Sequence, residues 1–595
     1  MKEKNSRLGL ILRFARKTKG YFVIVMAASF ASTVLNAMIP KIFRFTIDSV
    51  LAEGGNLFFQ KHLWTLSVMV ITIALLNGIA IFLYRSYTAK AGEGFAKNMR
   101  DTLFFHVQRL PMKWHGKNQT GDIIQRCTSD VEVIRNFVVT QVLEVFRTIF
   151  LILISFSMML SMNVKLSLVA LAFVPLVVLY SGIFFHLIAK NFSAADEAEG
   201  ELSTVVQENA TGVRVVRAFG REKFEIDRFD EKNKAYAKLW IKLGTLSGLY
   251  WGVGGLITGF QVIFIIVLGA MEAVHGGITA GEFVAFASYN TTLIWPVRGL
   301  GRILSEMSKA GVSFDRVNYI LNSMEESMET DGAIPQSYDI GFDKVSFGYE
   351  EQQKVLSGLT FSIKEGSTYG ILGGTGSGKS TMIHLLDRLY EVEEGRITIG
   401  GIDLKKIPKS WIRKNIGMVL QEPFLFSRTI RENIAAADPE ASMEEIREAA
   451  KTARVDDAIM AFPKQYDTIV GERGITLSGG QRQRIAIARM LLCKAPIMVF
   501  DDSFSAVDAK TDWEIRHALR EKMKDATVIL ISHRITTLME ADQIMVLNHG
   551  SVEEIGTHHQ LIRRDGIYHQ IYEIQMSKDD RKLLEGGEED ENKVI

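Results

Sequence analysis

Two cysteines in 595 residues, Cys127 and Cys493, are too few for a disulfide framework, and both fall in stretches expected to lie in the cytosol as buried or idle thiols. An excess of one charge is missing too. With 69 basic against 68 acidic side chains the net charge is +1, so nothing draws the chain electrostatically to nucleic acid and no basic stripe marks a nucleic-acid motor. No cleavable leader is expected, because the first apolar run is too long for one and no small-residue cleavage site follows it. The chain is also too long for one hydrophobic core. Residues 21 to about 300 hold long apolar runs, whereas 337–575 read like a soluble α/β protein, so a stand-alone soluble enzyme is excluded.

Spanning a bilayer takes about 20 apolar residues, and three stretches supply them without a charge: 63–84, 166–187 and 243–270. Three more contain charges: 21–47 with Pro40, Lys41 and Arg44; 138–162 with Glu144 and Arg147; and 283–304 with Arg298 and Arg302. Six spans are therefore expected. Lys2, Lys4, Arg7, Arg13, Arg16, Lys17 and Lys19 precede the first span, whereas Asp48, Glu53 and only Lys61 follow it, which places the N-terminus in the cytosol. The stretches 89–137 and 188–242 are long, charged and helical in pattern, so two long loops are expected to project inward.

Charges within spans are costly against lipid. Arg44 and Arg302 fit either snorkelling or an interior position, and Arg147 an interior or interfacial one. Glu144 and Arg298 lie deeper and are read as facing a cavity. Tyr250, Trp251, Phe260, Tyr289 and Trp295 are candidates to line a site for an amphipathic compound, although aromatics in membrane helices more often serve packing or interfacial anchoring.

The soluble half carries Gly373, Gly374, Thr375, Gly376, Ser377, Gly378, Lys379 and Ser380, followed by Thr381, which fit the phosphate-binding pattern GxxxxGK[ST]. An apolar strand, 368–372, runs into it and an amphipathic helix, 380–390, leaves it, as a phosphate cradle at a helix N-terminus requires. Backbone N–H groups freed by glycine would close around the phosphates of ATP, Lys379 would neutralise the β and γ oxygens, and the Ser380 hydroxyl would ligate Mg2+. About 120 residues later the apolar run 497–500 ends in Asp501 and Asp502, and Asp501 is placed to orient the metal ion and its water. Between them, Leu477, Ser478, Gly479, Gly480 and Gln481 open a helical stretch, 481–492, whose N-terminus also suits phosphate.

Taken together these segments resemble the ABC transporter family, over about residues 20–575. The resemblance implies an α-helical membrane domain of six spans fused to a C-terminal α/β P-loop ATPase. It implies that Tyr349, after Phe347 and Gly348, stacks on adenine; that Gln421 contacts Mg2+; and that His533 holds the γ-phosphate. Ser505, Ala506 and Asp508 match the loop that communicates between two ATP sites, and residues 477–481 serve the site of the opposite chain. Fusion of both domains favours the exporter branch, in which short coupling helices are expected near 114–118 and 219–222. Family members work as pairs that sandwich two ATP molecules.

One residue departs from the family pattern. Asp502 stands where a glutamate normally polarises the attacking water, so this chain's own site is expected to bind ATP but hydrolyse it poorly. A heterodimer follows, with a second half-transporter supplying the glutamate and this chain lending its signature; a homodimer that tolerates aspartate is the alternative. The expected activity is ATP-driven export of a hydrophobic or amphipathic compound across a bacterial cytoplasmic membrane. A lipid flippase and a non-transporting ATPase sensor are the rivals. The expected divisions are 1–20 cytosolic, 21–320 transmembrane, 321–336 linker, 337–575 ATPase and 576–595 an acidic disordered tail.

Overall fold

Backbone that crosses hydrocarbon must satisfy its own hydrogen bonds, which a helix does within one segment. Among the described residues, the N-terminal part of the computed structural model does this with six long helices: α1 (Lys19–Phe45), α2 (Leu63–Val107), α3 (Leu143–Leu160), α4 (Val164–Ala218), α5 (Glu222–Val274) and α6 (Ala280–Asn322). The structure describes residues 7–51, 58–59, 62–327, 332–350, 353–471, 474, 476–522 and 525–576. The expected acidic tail from 577 onward and the middle of the expected linker, 328–331, lie outside the described residues. Two units form, one of Met1–Leu110 with Lys117–Glu325 and one of Pro111–Gly116 with Glu326–Ile595.

Among the described residues of the first unit, five segments are long and apolar enough to cross a membrane: Arg7–Asp48, Trp64–Val107, Thr120–Leu160, Val164–Ala218 and Glu222–Val274. Their outward side chains, such as Leu75, Phe82 and Leu179, are exposed, as a lipid-facing surface requires. The sixth expected span, 283–304, is helical within α6 but does not meet the same composition measure. Packing explains this. Ala285, Phe286, Tyr289 and Leu293 of α6 are buried with Ala37 of α1, Met159 of α3, Leu166 and Ala170 of α4 and Ile265 of α5. A helix enclosed by its neighbours needs little apolar surface for lipid and can carry Asn290 and Arg298, both buried.

The two expected inward loops are largely continuations of the membrane helices. α4 and α5 run for 55 and 53 residues and meet at the turn 219–221, where Gly220 adopts φ +58°. Charge marks where such a helix leaves the bilayer, not where it ends. The second expected coupling segment lies at this turn, where Phe219 is exposed. The first falls on the short helix Met112–Lys117, most of which groups with the second unit.

Three of the charges within the expected spans are paired. Arg44 pairs with Glu282 at 2.7 Å, and Arg147 lies 3.9 Å from Glu144. Glu144 and Arg147 line a cavity of about 360 Å³ with Thr33, Asn36 and Ser288, so Glu144 faces a cavity as its depth implied. Arg302 is exposed. Tyr289 belongs to the core instead of a site, since it is fully enclosed and donates to the Ala37 carbonyl at 2.6 Å. Both thiols are free; Cys127 is half-buried, and Cys493, at the C-cap of the helix Gly479–Leu492, is exposed.

The second unit is built on a six-stranded sheet in the order β10 (Ser551–Gly556), β9 (Gln543–Asn548), β3 (Thr368–Gly373), β8 (Thr527–Ser532), β7 (Ile497–Asp501), β6 (Ile416–Val419). Its middle strands are parallel and buried on both faces: Ile497 and Val499 point into one core, Met498 and Phe500 into the other. A second sheet, in the order β2 (Leu356–Ile363), β1 (Ile340–Phe347), β4 (Glu394–Ile399), β5 (Ile402–Asp403), closes one of these cores.

Glu326 is anchored within this unit by Lys409 Nζ at 2.9 Å and Arg413 Nη2 at 2.8 Å. Burial by itself would raise the Glu326 carboxyl, but hydrogen bonds from these cations outweigh it and hold the group below its ordinary value. Such a group stabilises the fold above its unfolded-state pKa, and that contribution disappears as pH falls through the lower folded-state value. Glu326→Ala is expected to destabilise the unit by about 2 kcal/mol, limited because Glu391 still reaches Lys409 at 3.3 Å. Thermal unfolding at pH 7 and pH 4 checks this, and the difference between variant and parent should shrink at the lower pH.

Candidate functional site

β3 delivers the chain to the edge of the sheet at Gly373, and α7 (Lys379–Leu386) starts six residues later. The helix is shorter than expected, ending at Leu386 instead of 390. Gly378 is its N-cap and takes φ +102°, which a side chain would resist. Gly374 differs, since a Cβ there would meet nothing within 4 Å. The protein's own packing does not demand glycine at that position, so the bare backbone leaves an open cradle of the kind a phosphate fills.

Lys379 bends back over this loop, donating to the Gly373 carbonyl at 2.8 Å, the Gly374 carbonyl at 2.7 Å and the Ser377 hydroxyl at 3.3 Å. Burial lowers its ammonium pKa, opposed by Asp501 and Asp502 nearby. The Ser380 hydroxyl donates to Asp501 Oδ2 at 2.8 Å, joining the start of α7 to the end of β7. Asp501 is the last residue of that strand and almost wholly buried. Burial raises its carboxyl pKa against the opposing Ser380 hydrogen bond. A hydroxyl beside a carboxylate is a hard-oxygen pair that suits Mg2+. Among the described residues no three His, Cys, Asp or Glu side chains form a metal cage.

Asp502 leaves the strand in the left-handed region, φ +46°, a conformation that aspartate tolerates better than most residues. Its N–H donates to the Ile531 carbonyl at 2.9 Å. Tyr349 packs edge-on against Tyr390, and its hydroxyl donates to Thr381 Oγ1 at 3.2 Å, which places the ring beside the start of α7. Gln421 is exposed in the segment after β6, and His533 is half-buried directly after β8.

The signature forms a second cluster. Ser478 caps α8 (Gly479–Leu492) in a reciprocal box: its hydroxyl accepts from Gln481 N at 3.2 Å, and Gln481 Oε1 accepts from Ser478 N at 2.9 Å. The helix begins two residues before the expected 481. A Cβ on Gly480 would lie 2.9 Å from the Ala506 carbonyl, so the loop 505–508 packs directly under the signature glycines. Asp508 caps the helix that follows, accepting from Thr511 N at 3.0 Å.

Sequence reasoning missed two glutamines. Gln483, buried on α8, accepts from Ala506 N at 3.0 Å and donates to Ser505 Oγ at 3.2 Å. Ser505 N in turn donates to the Asp502 carbonyl at 3.2 Å, and Arg534 donates to the Ser505 carbonyl at 2.8 Å. Ser505 is thus the point where the end of β7, the segment after β8 and helix α8 meet. Gln575, far away in sequence on α9 (Ile567–Gln575), holds the backbone on both sides of Arg534, donating to the His533 carbonyl at 2.7 Å and accepting from Ile535 N at 2.9 Å. Neither belongs to a local motif that could have announced it.

Gly374→Ala separates folding from ligand binding. The methyl enters open space, so stability should stay within about 0.5 kcal/mol. It should weaken binding of a nucleoside triphosphate roughly tenfold by occupying the cradle. Thermal unfolding and equilibrium binding of a fluorescent ATP analogue, measured on one preparation, check both halves.

The comparisons agree with this geometry. Residues 22–297 match the family model described as ABC transporter transmembrane region, and 356–505 the model described as ABC transporter. The ABC transporter ATP-binding protein YknU of Bacillus subtilis is 35% identical over 93% of this chain and 95% of its own length. YgaD of the same organism, an ATP-binding/permease protein whose name assigns it provisionally to multidrug export, is 32% identical over 96% of this chain and 100% of its own. A solved structure of a bacterial Atm1-family ABC exporter with ATP bound superposes with a TM-score of 0.82 at 26% identity, covering 96% of this chain and 100% of that one. The chain belongs to the ABC transporter family, as an exporter-type half-transporter whose membrane helices and ATPase domain form one polypeptide for ATP-driven transport.

Proposed function

We propose that this chain is the subunit with the weakened ATP site in a heterodimeric exporter of hydrophobic or amphipathic compounds, placed in a bacterial cytoplasmic membrane with its ATPase domain in the cytosol. The observation that carries the reading is Asp502, one methylene shorter than the glutamate of the family pattern and held at the mouth of the site by its left-handed backbone. Names given to similar proteins, multidrug export among them, support the cargo class.

The residues divide the work as follows. The backbone of 373–378 and Lys379 bind the phosphates, Tyr349 receives the base, and Ser380, Asp501 and Gln421 are the residues that would hold Mg2+. When bound, that ion neutralises the charge that develops on the phosphoryl oxygens. His533 holds the γ-phosphate in this reading. Asp502 is left to orient the attacking water, and a displacement of about 1 Å there lowers the rate on the order of 10²-fold. The signature from Leu477 to Gln481 keeps its cap and serves the partner's site.

ATP turnover by the chain alone, and with the half-transporter encoded beside it, tests this division. Activity should appear only with the partner and respond little to Asp502→Ala, while Asp502→Glu should raise turnover at this chain's own site on the order of 10²-fold. Brisk turnover by the chain alone, abolished by Asp502→Ala, would favour the homodimer.

The bridge at Gln483 gives an independent expectation. Gln483→Leu removes both hydrogen bonds to the 505–508 loop at similar volume, so the assembled pair should lose about tenfold in kcat with KM for ATP within about twofold. Gln483→Glu can accept from both Ala506 N and the Ser505 hydroxyl and should recover most of the rate. A rate unmoved by leucine would show that the signature does not need this brace.

A further inference from the structure

Arg298 is 6% exposed, yet no carboxylate lies within ion-pair distance of it among the described residues. In that respect it differs from Arg44 and Arg147, which share its membrane setting. Its guanidinium lies over three rings: Trp251 at 4.9 Å, Tyr250 at 5.4 Å and Trp295 at 5.6 Å. Gly254 makes room for it, since a Cβ there would lie 2.5 Å from Nη2. The Tyr180 hydroxyl alongside is committed to the Tyr250 carbonyl.

Ring faces attract the charge of a guanidinium but accept none of its in-plane N–H donors well. Nε and Nη2 are both buried and without a hydrogen-bond partner. An arginine at a membrane interface would normally extend its head to water, whereas this head is enclosed. A guanidinium fork receives two oxygens in bidentate fashion, as from a carboxylate, sulfonate or phosphate. Trp251 and Trp295 turn 53% and 66% of their surface outward, an apolar platform beside the buried charge. Arg298 lies eighteen residues into α6, roughly 27 Å along the axis from its first residue, which is the depth of the inner headgroup boundary if the helix starts at the outer face.

Building on the reading that the cargo is amphipathic, we propose that Arg298 and its aromatic cage form a subsite for the acidic head of an anionic amphiphile, whose apolar part lies along Trp251 and Trp295. The ligand chemistry is shared by free acyl anions and by anionic membrane lipids.

The assembled transporter in nanodiscs of phosphatidylcholine, titrated with dodecanoate and with methyl dodecanoate and followed by tryptophan fluorescence, tests this. The acid should bind roughly tenfold or more tightly than the ester, the worth of a charge-assisted hydrogen-bonded pair. Arg298→Gln should bind the two alike with ester affinity retained, which also reports that the variant is folded, and Arg298→Lys should keep part of the preference. In discs containing phosphatidylglycerol, competition that raises the apparent Kd for dodecanoate identifies the lipid as an occupant, and an unchanged Kd identifies the free anion. Equal affinity for acid and ester in the parent, or a preference that survives Arg298→Gln, overturns the proposal while leaving amphipathic export intact. Failure of both probes to bind overturns the amphipathic reading and the proposal with it.

Discussion

The hydrogen bond from Ser380 to Asp501 reaches across a whole β-strand. β8 lies between β3 and β7, so the phosphate loop and the acidic strand end are held two strands apart, about 10 Å, by the register of the parallel sheet. A side chain at the first turn of α7 closes the gap. Everything in the site follows from that span: Lys379 bends over the loop, Asp502 leaves the strand at the same edge, and Ser505 begins the loop that underlies the signature helix. Loss of register in the sheet would disperse all of them at once.

The membrane half obeys a different constraint, the expense of leaving charge or backbone unpaired in hydrocarbon. Arg44 and Glu282, and Glu144 and Arg147, meet it by pairing. α6 meets it by position, enclosed by four neighbouring helices, and can therefore carry polar residues that a lipid-facing helix could not. The five apolar segments and the one mixed segment are thus a single solution, with lipid contact delegated to the outer helices.

Much of the nucleotide site was legible because a phosphate cradle is local: strand, glycine loop and helix follow one another within about twenty residues, and each constrains its neighbour's composition. Asp501, about 120 residues further on, was legible for a different reason, because it ends an apolar run of strand length. Gln483 and Gln575 were not, because a glutamine bonded to a distant backbone has the same sequence appearance as one facing water. The inward projections were legible as helical and charged, but their continuity with the spans was not, since nothing in the charge pattern distinguishes a helix emerging into water from a loop beginning there. Exposure of Cys493 likewise depends on where α8 ends relative to the surface, not on the residues around the thiol.

The uninterrupted length of α5 has a mechanical consequence. A helix of 53 residues is roughly 80 Å long and has no proline within it, so it transmits a tilt along its length with little bending. A rotation of about five degrees about its membrane end moves the far end by about 7 Å, more than one helical turn. Movement too small to open a passage between side chains at one end becomes, at the other, a displacement as large as a residue, and the turn at Gly220 is where that leverage is delivered.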